Sequence, residues 1–182
     1  MRWFIRLPIK KIPEIVFMKK STLRLTRGAV IAALYFALSA AVPVITYGPV
    51  QFRVAEALTL LPFFMPEAIW GVTLGCLLTN AFSSFGIYDV VFGTLTTLVA
   101  ALITSKIKNR WLAPLPPVLL NAVVLPTMWH FMGSDEMWII NFLSILASES
   151  VILYALGEPL VIALELSLIH ISEPTRLALI SY

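Results

Sequence analysis

The chain has 182 residues, of which 59% are hydrophobic and 13% charged, with a formal net charge of +3 and a mean hydropathy of +0.91. Soluble domains run about 45–50% apolar and about 25% charged, so the composition excludes an ordinary soluble domain and excludes disorder. It predicts an all-α integral membrane bundle. One spanning helix needs about 20 apolar residues. The length therefore admits roughly six such helices with short loops. It leaves no room for a soluble ATPase or catalytic domain. The lone cysteine, Cys76, excludes a disulfide framework and a thiolate metal site.

Both flanks are set apart from the spanning region. Residues 1–17, MRWFIRLPIKKIPEIVF, are basic and mixed, with Pro8 and Pro13. They lack the long apolar core and cleavage site of a signal peptide. Met18 precedes KKSTLRLTRGA, a good cytoplasmic lead into a first span. The expectation is that Met18 is the true start and residues 1–17 are translated upstream sequence. The alternative is a basic amphipathic surface segment. At the other end, LSLIHISEPTR, from Leu166 to Arg176, resembles a translated transposase-based sequencing adapter. Residues 166–182 are accordingly expected to be an artefact, which removes His170. Residues 18–165 form the expected domain. Within it the basic and acidic residues are equal in number, so the net positive charge belongs to the flanks and implies no nucleic-acid partner.

The first helix is expected over about Leu25 to Thr46, the second over Val54 to Met65, the third over Ala68 to Phe85. The fourth is expected over Val90 to Ser105, the fifth over Trp111 to Met132, the sixth over Met137 to Leu164. Tyr47-Gly48-Pro49, Pro66-Glu67, Gly86, Lys106 to Arg110 and Gly133 to Glu136 mark the breaks. The second helix is too short to cross upright and is expected to be irregular. Lysines and arginines gather at Lys19 to Arg27 and at Lys106 to Arg110. The positive-inside rule then puts the N-terminus and the loop between helices four and five in the cytoplasm, and with six spans the C-terminus as well. Arg53 is the exception, at the outer start of helix two.

Within the first helix Ala29, Ala33, Ala37 and Ala41 recur every fourth residue and share one face. Small residues let a second helix approach closely. Packing inside the bundle and docking of a separate membrane subunit are equally open on spacing alone.

Ionisable groups inside a membrane are costly and point to function. Glu149 falls mid-helix in the sixth span, on one face with Trp138, Phe142 and Ile145. Thr73, Cys76, Asn80 and Ser84 make a polar stripe on the third helix. Asp89, Gly93, Thr96 and Ala100 make another on the fourth. Asn121 is central in the fifth, with Trp129 and His130 toward its outer end. These define an outward cup of carboxylates, amides and indoles, suited to a planar polar small molecule. The candidate binding residues are Glu149, Asn80, Asp89, Asn121, Trp138 and Trp129. Plainer roles compete. Asn80 and Asn121 serve equally as interhelical glue, and Asp89 as a helix cap. Arg53 and Glu56, three apart, are expected to pair with each other. Trp111 and Trp138 fit interfacial anchors. His130 fits a structural residue, and Glu158 a structural group near the cytoplasmic end. Glu149 is the hardest to make structural, being central and without a nearby cation. No catalytic motif, metal-ligand cluster or Gly-rich phosphate loop is present, so no enzymatic activity, metal or cofactor is expected.

The run YGPVQFRVAEALTLLPFF, Tyr47 to Phe64, together with GVTLGCLLTNAFSSFGIYDVVFGTLTTLVAALI, Gly71 to Ile103, and the first-helix alanines, resembles the QueT family. The resemblance extends over about Leu25 to Glu165. These proteins are substrate-binding (S) components of energy-coupling-factor transporters, associated with queuosine precursors. The resemblance implies a six-helix bundle in the cell membrane that binds a 7-deazaguanine, in its 7-aminomethyl form, from outside. It also implies association with a shared transmembrane coupling subunit and two cytoplasmic ATPases, docked through the small-residue stripe. An S component for another vitamin, or an ion-coupled small-solute transporter acting alone, are the competing readings. The absence of an internal repeat and the alanine stripe disfavour the last.

Overall fold

A computed structural model describes residues 20–41, 52–83, 86–133 and 137–172, and their side chains other than those of 20 and 167–172. The predicted extension 1–17, the start at Met18, Ser84, the loop acids Asp135 and Glu136, and positions 173–182 of the tail lie outside these residues.

Every described element is helical, and six helices follow one another along the chain. The first, α1, runs Lys20–Ala41. Its inward face is Gly28, Ile31, Ala32, Tyr35 and Ser39, all buried, a three-and-four spacing that lays one stripe along a helix. That stripe meets α3, Glu67–Asn80, in the most extensive pairing of the bundle. The two backbones nearly touch. A Cβ on Gly71 would lie 2.8 Å from the Gly28 carbonyl oxygen, and one on Gly75 would lie 2.6 Å from Tyr35 Cβ. Gly71 and Gly75 thus supply a small-xxx-small seam against Gly28 and Ala32.

Between these helices in sequence lies α2, a 3-10 helix over Val54–Phe63 that contains Pro62. Runs of 3-10 helix beyond 3–4 residues are uncommon, so a ten-residue one needs outside support. It has that support, because Ala55 to Pro62 are all buried. α2 sits at the centre, touching α1, α3, α4 and both parts of the last helix.

α4 opens with a π turn, Asp89–Gly93, and continues as an α-helix over Thr94–Thr104. α5 follows a short turn, Arg110–Leu112, and spans Leu115–Phe131, with prolines in its first turn and Pro126 inside it. α6 is one long rod: Trp138–Ile152, a π turn at Leu153–Gly157, and Glu158–Ser172. Both π turns close on a glycine that another element approaches. A Cβ on Gly93 would lie 2.6 Å from Asn80 Nδ2, and one on Gly157 would lie 2.7 Å from Leu60 Cδ1. Gly86 and Gly133 take positive φ, 59° and 82°. The second closes α5 in the left-handed conformation that suits glycine after a helix.

Tertiary contacts show how the helices alternate. The starts of α1 and α3 are tied by Arg27 and Glu67. Arg110, before α5, reaches Glu158 and Glu165 of α6. The start of α2 meets the end of α3 and the start of α4 through Arg53. Successive helices therefore run in opposite directions.

The exterior is apolar. Leu34, Trp70, Leu74, Phe82, Leu95, Leu119, Phe131, Leu143 and Val151 all lie open on it. Among the described residues three helices, Ser21–Ala41, Arg110–Phe131 and Trp138–Leu166, are long and apolar enough to cross a membrane, whereas Val54–Phe63 and Asp89–Thr104 are shorter. The boundaries differ modestly from those expected: α3 ends at Asn80 rather than Phe85, and the last helix continues past Leu164 to Ser172.

Candidate functional site

The bundle's exterior is apolar, and its interior carries charged and polar side chains. Arg53, Glu56, Asn80, Asp89, Asn121 and Glu149 are each at most 4% exposed. They come from five helices.

Arg53 stands one residue ahead of α2. Its NH1 donates to Asn80 Oδ1 at 2.9 Å, and its NH2 lies 3.8 Å from Asp89 Oδ2. Asn80, one helical turn past Cys76 on α3, donates through Nδ2 to Cys76 Sγ at 3.2 Å and to the Asp89 carbonyl at 3.0 Å. Thr97 of α4 also donates to Cys76 Sγ, at 3.2 Å. Ser83 donates its hydroxyl proton to Asp89 Oδ2. The glycine at 93 leaves the room that the Asn80 amide occupies.

Glu56 lies three residues further along α2. The Tyr35 hydroxyl of α1 donates to its Oε1 at 2.5 Å. Asn121 of α5 donates through Nδ2 to Glu149 Oε1 of α6 at 3.0 Å. Glu149 is within electrostatic range of both Glu56 and Arg53, so these pairs make one charged interior.

The second oxygens matter most. Glu56 Oε2, Asp89 Oδ1 and Glu149 Oε2 are buried without a hydrogen-bond partner. A buried carboxylate oxygen left unpaired is expensive. One guanidinium, two of whose nitrogens also lack a hydrogen-bond partner, faces three carboxylates, so the interior is short of positive charge.

Of the expected site residues, the structure brings Asn121 to Glu149 and Asn80 to Asp89. Trp129 is buried among Ala122, Leu125, Met128 and Ile145. Trp138 donates through Nε1 to Thr127 Oγ1 at 3.1 Å and stacks on Phe142, ring centroids 5.1 Å apart. His130 is exposed at the end of α5. Ala29, Ala33, Ala37 and Ala41 all face outward, while the neighbouring Gly28 and Ala32 row does the internal packing.

Two expectations are corrected. Arg53 and Glu56 do not pair with each other: Arg53 reaches sideways to α3 and α4, and Glu56 reaches α1. Asp89 is not a helix cap, since it lies within the π turn and its carboxylate takes Ser83 and Arg53. The sequence reading left Tyr35, Arg53 and Glu56 out of the site. Arg53 and Glu56 carried a signal, as an Arg and a Glu in the mostly apolar run FRVAEALTLL, whereas Tyr35 carried none.

The described cavities lie elsewhere. One of about 620 Å³ opens between α1 and α3 around Arg24, Ala29 and Trp70. Another of about 540 Å³ opens between the π turn of α4 and α5 around Phe92, Thr127 and Met128.

An all-helical bundle with an apolar exterior, helices of spanning length and a charged interior defines a helical membrane protein. The family model described as the QueT transporter matches residues 25–166, and the chain belongs to that family, one of transporters rather than enzymes. It is similar to the "Queuosine precursor transporter QueT" of Lactococcus lactis subsp. cremoris (strain MG1363), 46% identical over 85 residues, 45% of this chain and 50% of the relative. The chain thus aligns with about half the length of that relative. No solved structure matches it significantly.

Proposed function

We propose that the protein binds a queuosine precursor, a 7-deazaguanine in its 7-aminomethyl form, and imports it as the substrate-binding component of an ATP-driven energy-coupling-factor transporter. The observation that carries this reading is the set of three buried carboxylates, each with one oxygen held and one free, around a single arginine. A deazaguanine presents ring N–H and exocyclic amine donors beside a carbonyl acceptor. Glu149 offers an acceptor to the donors, and Asn121, which still has an N–H and its Oδ1, complements the rest. Asn80 and Asp89 extend the polar wall, and Trp129 and Trp138 give aromatic surface on the α5–α6 side. The aminomethyl group is a cation near neutral pH, and it supplies the positive charge the interior lacks.

The basic residues at the start of α1 and before α5 support a cytoplasmic location for that end, and with it for both termini. The Arg53 end is then outside, where the cargo enters. The resemblance to energy-coupling-factor S components implies that ATP is hydrolysed by two cytoplasmic ATPase subunits and coupled through a transmembrane partner. The outward alanines of α1 support a docking face for that partner, because the inward packing of α1 uses a different row.

Calorimetric titration of the purified protein with 7-aminomethyl-7-deazaguanine tests the cargo. Saturable binding is expected, and no heat beyond dilution would remove the deazaguanine reading. Docking is tested by Ala33→Trp. It is expected to abolish co-purification with the coupling subunit and to leave cargo affinity unchanged. Loss of cargo binding with docking retained would make the stripe a packing surface.

A further inference from the structure

The charged interior contains two carboxylates without an arginine at ion-pair distance, Glu56 and Glu149, and they are dressed differently. Glu149 is bonded by an amide. An amide brings both donors and an acceptor, so Glu149 and Asn121 together offer a mixed donor and acceptor edge. Glu56 is bonded by a phenol. The single hydroxyl proton of Tyr35 is spent on Glu56 Oε1. What remains at Glu56 is Oε2, which is buried without a partner. That oxygen accepts hydrogen bonds and donates none.

Asp89 is the other acceptor-rich group, but it is compensated. Its Oδ2 takes Ser83 and stands 3.8 Å from Arg53. Arg53 spends its reach on Asn80 and Asp89, on the α3 and α4 side. Glu56 is 2% exposed and central in the bundle, with no arginine or lysine bonded to it. A donor-only cation fits it best, and an ammonium group with three N–H donors and no acceptor is such a cation.

We propose that Glu56, held in place by the Tyr35 hydroxyl, is the seat of the ligand's cationic arm, while Glu149 and Asn121 read the planar ring. This rests on the deazaguanine reading above and assigns its two chemical halves to two corners. Specificity for the 7-substituent then resides in α1 and α2, and specificity for the ring in α5 and α6. Tyr35 is a positioning residue, since it acts through Glu56.

The test is titration of the detergent-purified full chain with two probes, the 7-aminomethyl deazaguanine and the same ring carrying a neutral nitrile at position 7. Charged hydrogen bonds of this kind correspond to about tenfold to a hundredfold in affinity. Glu56→Gln is expected to lose that much for the aminomethyl probe and to bind the nitrile as wild type does. Glu149→Gln is expected to lose affinity for both. Retained nitrile binding shows that the Glu56 variant is folded. Should Glu56→Gln not fold, Glu56→Asp and Tyr35→Phe are expected to weaken the aminomethyl probe selectively. Equal loss for both probes, or none for either, in whichever of these variants folds, overturns the assignment. Wild-type protein that binds neither probe overturns the deazaguanine reading and the assignment with it. Binding of both probes without selectivity in the variants overturns only the assignment.

Discussion

The two ends of the bundle treat charge differently. Where α1, α3 and α5 begin, each described carboxylate meets an arginine: Glu67 meets Arg27 at 3.0 Å, and Glu158 and Glu165 share Arg110 at 3.2 and 3.3 Å. Arg27 is half exposed there and water is at hand. In the interior, three carboxylates share Arg53, and only Asp89 is within ion-pair distance of it. A polar group that serves only packing is normally satisfied by its neighbours. At the rim Glu67 follows that pattern, and Glu158, whose oxygens lack a hydrogen bond, is held at ion-pair distance by Arg110. In the interior Glu56 and Glu149 have no cation at that distance, and this difference marks where a ligand's own charge belongs.

The largest effect is expected from removing the one interior cation. Arg53→Met leaves Asp89 and Asn80 without their partner and three buried carboxylates with no compensation. Breaking a buried pair costs about 3–5 kcal/mol, which for a protein of this size is roughly 6–20 °C in melting temperature. A thermal melt in detergent measures it. Arg110→Met, at the rim, is expected to cost less, because Arg110 is 31% exposed and, of the two carboxylates it leaves, Glu165 is open to water while only Glu158 is buried. Equal losses from the two would erase the distinction between interior and rim.

Next comes Glu149→Gln, which separates stability from function. The variant keeps the shape and the bond to Asn121 can persist through the amide oxygen. Removing an uncompensated buried charge is expected to leave the melting temperature equal or higher. Cargo affinity is expected to fall about tenfold to a hundredfold, since a charged hydrogen bond is worth about 1.5–3 kcal/mol. Calorimetry and a thermal melt on one preparation read both. Unchanged affinity in the folded variant would remove Glu149 from the site and leave Glu56 as the leading carboxylate.

Much of this contrast was legible in the sequence. The all-helical class followed from composition, and Glu149 stood out because a mid-span carboxylate has few structural uses. Its partner Asn121 is 28 residues away, a distance that no periodicity reports, yet both fell among the expected site residues because each is polar at a central position. Arg53 and Glu56 were misread for the opposite reason. Their spacing of three suggests a local pair on an α-helix. In the bundle α2 is a 3-10 helix clasped on all sides, and both side chains find better partners on other helices. The π turns at Asp89–Gly93 and Leu153–Gly157 left no pattern either, and the glycine that ends each is approached by a side chain of another helix. On α1, spacing identified a small-residue row, but which of two adjacent rows faced inward depended on Gly71 and Gly75 of another helix.

The smallest effect is expected at the rim, and it anchors the comparison. Glu67 opens α3, where a carboxylate is favoured by the helix dipole, and it pairs with an arginine whose side chain is 52% exposed. Exposed pairs contribute about 0–1 kcal/mol, because water screens the attraction and ordering two long side chains costs entropy. Glu67→Gln removes one formal charge, as Glu149→Gln does, but at the other end of the bundle. It is expected to shift the melting temperature by no more than about 4 °C and to leave cargo affinity within about twofold. The same calorimetric titration checks it. A loss of affinity comparable to that of Glu149→Gln would mean that charge at the rim is coupled to the interior, and compensation by an arginine would then no longer separate structural carboxylates from ligand-binding ones.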